Sequence, residues 1–201
     1  METIVLWQAP ALALVLSYLL GSIPFGVILT RLGGAGDLRK IGSGNIGATN
    51  VLRTGRKGLA AATLVLDALK GLSAIWLAEA LAPGAGPGGA AAAFIGHCYP
   101  VWLRFRGGKG VATLMGVALG LAWPLGVVYA VVWLGLLALI RISSVAGMAA
   151  AVSAPVAAAA MGRFDLVVLL VALALIVIWK HRENIERLIA GAEPRVGSRS
   201  G

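Results

Sequence analysis

The sequence predicts an all-α integral membrane protein of about seven transmembrane helices, some short or half-spanning, with its N-terminus outside and its C-terminus cytoplasmic. Three observations predict it. Apolar types make up 59% of the residues and charged types 12%, with a mean hydropathy of +0.91, unlike any ordinary soluble domain. Charge-free runs at 3–30, 110–140 and 142–162, of 28, 31 and 21 residues, each reach the ~20 helical residues that cross a hydrocarbon core. Lysine and arginine, 17 in all, collect in short loops between the apolar segments rather than on one soluble face, which excludes a nucleic-acid-binding domain despite the net charge of +9.

Taken in order, the expected spans are 4–30, 58–81, 89–103, 111–123, 124–140, 145–161 and 164–180. No Lys or Arg precedes the first apolar run, so that segment is expected to remain as a helix rather than leave as a signal peptide. Residues 82–88, Ala-Pro-Gly-Ala-Gly-Pro-Gly, form an uncharged external turn. The run 110–140 overshoots one crossing and falls short of two, and charge bias resolves it. With a break at Trp123-Pro124, 15 of the 17 basic residues share one side and only Arg163 faces the other, Lys70 lying within a span. Without it the basic loops divide between both faces. Small residues at 149–160, and the pair Gly116 and Gly120, suit close helix packing. Residues 1–190 are expected to form a single transmembrane domain and 191–201 a disordered cytoplasmic tail.

The most distinctive motif is Gly42-Ser43-Gly44-Asn45-Ile46-Gly47-Ala48-Thr49-Asn50. Glycines let successive amides turn toward one anion, and Ser43, Asn45, Thr49 and Asn50 add neutral donors, so Gly42, Ser43, Gly44, Asn45, Gly47 and Asn50 are candidate phosphate ligands. The loop satisfies G-x-G-x-x-G, but a dinucleotide fold needs a preceding strand and a soluble βαβ unit, and here membrane segments stand on both sides. Arg39, Lys40, Arg53, Arg56 and Lys57 flank it, offset only by Asp37.

A second motif, Gly107-Gly108-Lys109-Gly110, lacks the first glycine of a Walker A loop and has glycine where Ser or Thr would bind magnesium. It reads as a mobile lysine beside exposed amides, with Gly108 and Lys109 suited to a phosphoryl oxygen, or as plain positive-inside charge. The third, Lys180-His181-Arg182-Glu183-Asn184-Ile185-Glu186-Arg187-Leu188, puts His181 and Asn184 on one helical face where the last span meets water. They are substrate contacts or interfacial anchors, while Arg182, Glu183, Glu186 and Arg187 are expected to pair along the helix surface. Arg141-Ile142-Ser143-Ser144 adds a weaker contributor. Asp67 and Lys70, three apart in the second span, should pair with each other or with a loop cation. Cys98 is the lone cysteine, a small buried apolar group, and no carboxylate or thiolate cluster suggests a metal.

Together with Gly21-Ser22-Ile23-Pro24-Phe25-Gly26 and His181-Arg182-Glu183-Asn184-Ile185, these motifs closely resemble the bacterial acyl-phosphate:glycerol-3-phosphate acyltransferases, the PlsY family, from about Tyr18 to Leu188. The resemblance implies a seven-helix inner-membrane enzyme with its site open to the cytoplasm. It would transfer a fatty acyl group from acyl phosphate to the 1-hydroxyl of sn-glycerol 3-phosphate, giving lysophosphatidic acid and phosphate. It implies that Ser43, Gly44 and Asn45 hold the acyl-phosphate group, that Arg53 and Lys109 hold phosphate charge from the two substrates, and that His181 and Asn184 orient glycerol phosphate. Ser43, Lys109, His181 and Asn184 would be the catalytic set. A serine after the fifth span is also implied, with Ser143, Ser144 or Gly147 at that place. The His-x4-Asp signature of soluble-domain acyltransferases is not present, since Trp102 follows His97 and Glu186 follows His181 at that spacing. No cofactor or metal is implied, a monomer among membrane lipids is expected, and the competing class is a carrier of phosphorylated solutes.

Overall fold

The computed structural model describes residues 2–197, with side chains from residue 8 onward, and is all-helical over that range. The first expected span is broken. Helix α1 (Glu2–Gly21) stops at Ser22-Ile23-Pro24 and α2 (Phe25–Leu32) restarts beyond it. Proline has no amide hydrogen and pushes the residue before it out of helical geometry, and the Ile23 carbonyl takes the Phe25 N–H at 3.1 Å rather than a helical partner four residues on. A 3₁₀ turn at Leu38–Lys40 and the short α3 (Ala48–Leu52) bracket the glycine loop before the long α4 (Lys57–Leu81).

Helix α5 (Gly86–Cys98) is 13 residues rather than the expected span to 103, because the chain leaves helical geometry at Tyr99-Pro100 and passes through a 3₁₀ turn at Val101–Leu103. Helix α6 (Val111–Leu121) has 11 residues and α7 (Trp123–Ile140) has 18. The break between them falls at Ala122, whose extended backbone leaves Pro124 in the first turn of α7, where a missing amide costs nothing. The chain continues through α8 (Ser143–Ala160), α9 (Phe164–Lys180) and α10 (Arg182–Ile189).

Among the described residues four stretches are long and apolar enough to cross a membrane: Gln8–Leu32, α4, α7 and α8. The pair α9 and α10, bent by 58° at His181, makes a fifth when counted as one span; α6 is apolar but shorter, and α5 has 13 residues. Alanines do the close packing expected of them, with Ala150, Ala151, Ala154 and Ala158 of α8 fully buried beside Phe94, Leu114, Leu125 and Tyr129. Gly116 lies on the backbone of α4, where an added Cβ would stand 2.6 Å from the carbonyl carbon of Ala68. Outward faces are apolar, as lipid requires: Val131, Leu139, Val168 and Trp179 are all exposed. The expected tail is not free over its described part. Val196 N–H donates to the Arg141 carbonyl at 2.6 Å and the Arg141 guanidinium donates back to the Val196 carbonyl, while residues 198–201 lie outside the described range.

Candidate active site

The loop at 42–50 is built around one side chain. Asn50, buried at the third position of α3, donates its amide hydrogens to the carbonyls of Leu38 (3.1 Å), Ile41 (2.9 Å) and Asn45 (2.8 Å) and accepts the Ser43 N–H at 3.3 Å. Its donors, the part of the amide a phosphate would need, are spent on the loop, so Asn50 is a staple rather than the phosphate ligand expected from its type. Gly42 and Gly44 take positive φ, 54° and 67°, and reverse the chain around it.

The amides of Gly44 and Gly47 are also engaged, with Ile41 O and Asn45 Oδ1 at 2.9 Å each. That corrects the expectation of a continuous nest from Gly42 to Gly47. The amides of Gly42, Asn45, Ile46, Ala48 and Thr49 carry no acceptor among the described residues. Arg53 closes over the loop, since a Cβ at Gly42 would stand 2.8 Å from both Cδ and Nη1 of Arg53. Of the neighbouring cations, Arg39 and Arg31 are taken by Asp37 at 2.6 and 3.3 Å, whereas Arg53 has no ion-pair partner among the described residues.

The second loop is pinned, not mobile. Gly107 N–H donates to the Cys98 carbonyl and Gly108 N–H to the His97 carbonyl, each at 3.1 Å, so neither amide faces an anion and Gly108 is corrected from ligand to support. A Cβ on Gly108 would run into the His97 imidazole, and one on Gly107 would come within 2.8 Å of the Cys98 carbonyl carbon. The glycines serve to seat the loop on the end of α5. Lys109 is thereby launched at a fixed place, one residue before the turn into α6, whose N-terminal dipole adds positive potential there.

From Lys109 a polar network runs across the end of the bundle. Lys109 Nζ donates to Asn184 Oδ1, and Asn184 Nδ2 donates to Glu193 Oε1 at 2.5 Å. Ser144 Oγ donates to the same oxygen at 2.6 Å, and Arg187 Nε reaches Glu193 Oε2 at 2.8 Å. One residue earlier, Ser143 Oγ lies 2.9 Å from Thr49 Oγ1. The first turn of α8 therefore touches the glycine loop with Ser143 and the Lys109 network with Ser144. Gly147 is not a contact of this kind, being packed against Val111. His181, buried at the junction of α9 and α10, donates Nδ1–H to the Val177 carbonyl at 2.7 Å, which in the neutral ring leaves Nε2 as an acceptor. Ser43 is exposed on its loop, and no hydrogen bond joins it to Lys109, His181 or Asn184.

Four sequence motifs thus meet at one end of the helices as a basic, amide-rich site. The family model for glycerol-3-phosphate acyltransferases matches residues 11–191. The chain belongs to that family. Similar glycerol-3-phosphate acyltransferases include that of Erythrobacter litoralis, 57% identical over 190 residues, covering 94% of this chain and 96% of the relative. That of Novosphingobium aromaticivorans is 68% identical over 188 residues, covering 94% and 95%. Among solved structures, the glycerol 3-phosphate form of PlsY, an integral membrane glycerol 3-phosphate acyltransferase, superposes with a TM-score of 0.89 at 36% identity, covering 94% of this chain and 96% of that one. Its lysophosphatidic acid form gives 0.86 at 34% identity, over 94% and 95%.

Two members of this acyltransferase's network were not read from the sequence. Glu193 falls in the stretch expected as a tail, and Arg187, expected to pair along the helix surface, pairs instead with Glu193 and leaves Arg182 near Glu183 at 3.9 Å. An acidic residue in an otherwise basic segment just beyond α10 was the available signal. Burial, which raises its pKa, is outweighed by the hydrogen bonds from Ser144, Asn184 and Arg187, so the Glu193 carboxyl is held below the usual range.

The Lys109 pKa is lowered too, but for a lysine that favours the neutral form. Burial first, and then the charge of Arg187, pull its pKa down to about 8 despite Glu193 and Glu183. The cation is complete below that pH and is lost as pH rises through it. The kcat/KM for the anionic acceptor is therefore expected to fall above about pH 8. In Lys109→Arg the limb should vanish from the accessible range, because a guanidinium stays protonated. Parallel pH-rate profiles check this, and an unchanged limb in the arginine variant would assign it to another group.

Proposed function

We propose that this membrane acyltransferase moves a fatty acyl group from an acyl phosphate to the 1-hydroxyl of sn-glycerol 3-phosphate, releasing lysophosphatidic acid and inorganic phosphate. The observation that carries the reading is the first turn of α8, where Ser143 and Ser144 join the glycine loop and the Lys109 network into one site with two cationic poles, Arg53 and Lys109. Two polyanions must be brought together, and a site with one fixed cation for each does so. The 42–50 loop, with Ser43 and Arg53, takes the acyl-phosphate group. Lys109, His181 and Asn184 take glycerol phosphate.

The acceptor hydroxyl oxygen attacks the acyl carbon, the carbon–oxygen bond to phosphate breaks, and the hydroxyl proton passes to the departing phosphate. No strong protein base is required, because phosphate is a competent leaving group. His181 Nε2, free to accept, orients the hydroxyl. An open apolar groove of about 680 Å³, lined by Val145, Met148, Val152, Ile178 and Leu188, begins one residue beyond Ser144 and suits the acyl chain of the donor.

Residues 1–190 act as a single domain with seven crossings, α5 and α6 being the short ones. The N-terminus lies outside, and the site faces the cytoplasm of a bacterial inner membrane. The positive-inside rule supports this, since a break at Trp123-Pro124 assigns 15 of the 17 basic residues in the sequence to one side. The protein works as a monomer. A carrier would place its charges near the midplane, and here the cationic residues of all three loops gather at one end. Incubating purified protein with a long-chain acyl phosphate and glycerol 3-phosphate should yield phosphate and lysophosphatidic acid in equal amounts. No turnover, or equal turnover with an acyl thioester, would overturn the donor assignment.

A further inference from the structure

Asp67 and Lys70 of α4 and His97 of α5 form a buried ionisable cluster that the chemistry above does not use; all three are at most 3% exposed. Asp67 Oδ1 lies 2.7 Å from Lys70 Nζ and 3.6 Å from His97 Nδ1. Burying three such groups among membrane helices is costly, and apolar side chains would fill the space more cheaply. Their outward contacts explain their presence.

On one side, Lys70 Nζ donates at 2.8 Å to the Ile23 carbonyl, which also accepts the Phe25 N–H at 3.1 Å across Pro24, and stands 5.7 Å over the Phe25 ring. The next residue, Gly26, lies directly on the glycine loop: a Cβ there would be 3.1 Å from the Ile46 carbonyl carbon and closer still to its oxygen. On the other side, the His97 imidazole occupies the space beside Gly108, and the His97 carbonyl holds the Gly108 amide. Lys109 follows. One end of the cluster therefore supports the loop at 42–50 through α2, and the other supports the loop carrying Lys109.

We infer that Asp67, Lys70 and His97 are positioning residues that set the two phosphate loops against each other, with the His97 arm serving the acceptor half and the Lys70 arm serving the donor half. This rests on the assignment of those halves made above. Asp67 is the pivot. A displacement of about 1 Å at a reacting centre can cost on the order of a hundredfold in rate, so supports this close to both loops are expected to act on substrate affinity.

The test uses two variants of the full chain. Asp67→Leu with Lys70→Met removes the ion pair without stranding a charge, a change that is often neutral or stabilising when only stability is at stake. It should keep the thermal midpoint of wild type and raise KM for both substrates by roughly tenfold or more. His97→Leu should raise KM for glycerol 3-phosphate by a similar factor and leave KM for acyl phosphate within about twofold. Calorimetric binding of glycerol 3-phosphate to the same samples reads the Lys109 loop without turnover, and wild-type turnover in the same assay checks the reaction itself. If wild type is inactive, the reaction assignment fails while the binding comparison still tests the cluster. Stable variants with unchanged KM and affinity would overturn the proposal, as would failure of both variants to fold, which would make the cluster a stability element.

Discussion

Lys109→Ala is expected to lower kcat/KM for glycerol 3-phosphate by about 100- to 1000-fold, the loss of about 2.7–4 kcal/mol that follows removal of one preorganised group at a developing charge. The lysine is half-buried on a loop tied down by two backbone hydrogen bonds to α5, so its position is paid for before substrate arrives. Removing it also leaves Asn184 Oδ1 without its donor while Glu193 still holds the other end of that amide. Arg187 cannot substitute, being occupied by Glu193 at 2.8 Å. Phosphate-release progress curves on purified variant check this, and activity within about tenfold of wild type at normal accumulation would remove Lys109 from the site.

Asn50→Asp should be nearly as damaging and for a different reason. The substitution keeps the acceptor for the Ser43 amide but turns the carboxamide nitrogen, which serves three carbonyls, into an oxygen facing all of them. Leaving buried acceptors unsatisfied costs about 1–3 kcal/mol for each group, and a carboxylate adds repulsion. The loop is expected to open, with KM for acyl phosphate raised by roughly a hundredfold and the thermal midpoint lowered by several degrees. Affinity for glycerol 3-phosphate should change far less, since Lys109 stands on a loop tied to the end of α5 and Asn184 on α10. An Asn50→Asp protein with wild-type KM for both substrates would show that the loop needs no staple.

How far the sequence could be read depends on the range of the interaction concerned. Charge placement is a one-dimensional property, and it located the break near Trp123-Pro124 and gathered four motifs at one end of the chain's helices. Residue type alone was a poorer guide within the loops. Asn50 has a phosphate ligand's chemistry, yet its amide faces inward to three carbonyls, a matter of loop conformation rather than composition. Gly108 looked like an exposed amide and is instead a space left for the His97 ring, eleven residues away in the chain. Glu193 and Ser144 meet across 49 positions, and no periodicity reports such a contact. Asp67 and Lys70 did pair as their spacing suggested, but the third partner, His97, comes from another helix.

The most direct measurement is a crossed determination of both Michaelis constants for Arg53→Ala and Lys109→Ala in one reconstituted preparation. Two anion-binding poles, one on each loop, require that Arg53→Ala raise KM for acyl phosphate by roughly tenfold or more with KM for glycerol 3-phosphate nearly unchanged, and that Lys109→Ala do the reverse. If both variants instead raised the same constant, or neither constant moved, the two loops would not divide the substrates between them.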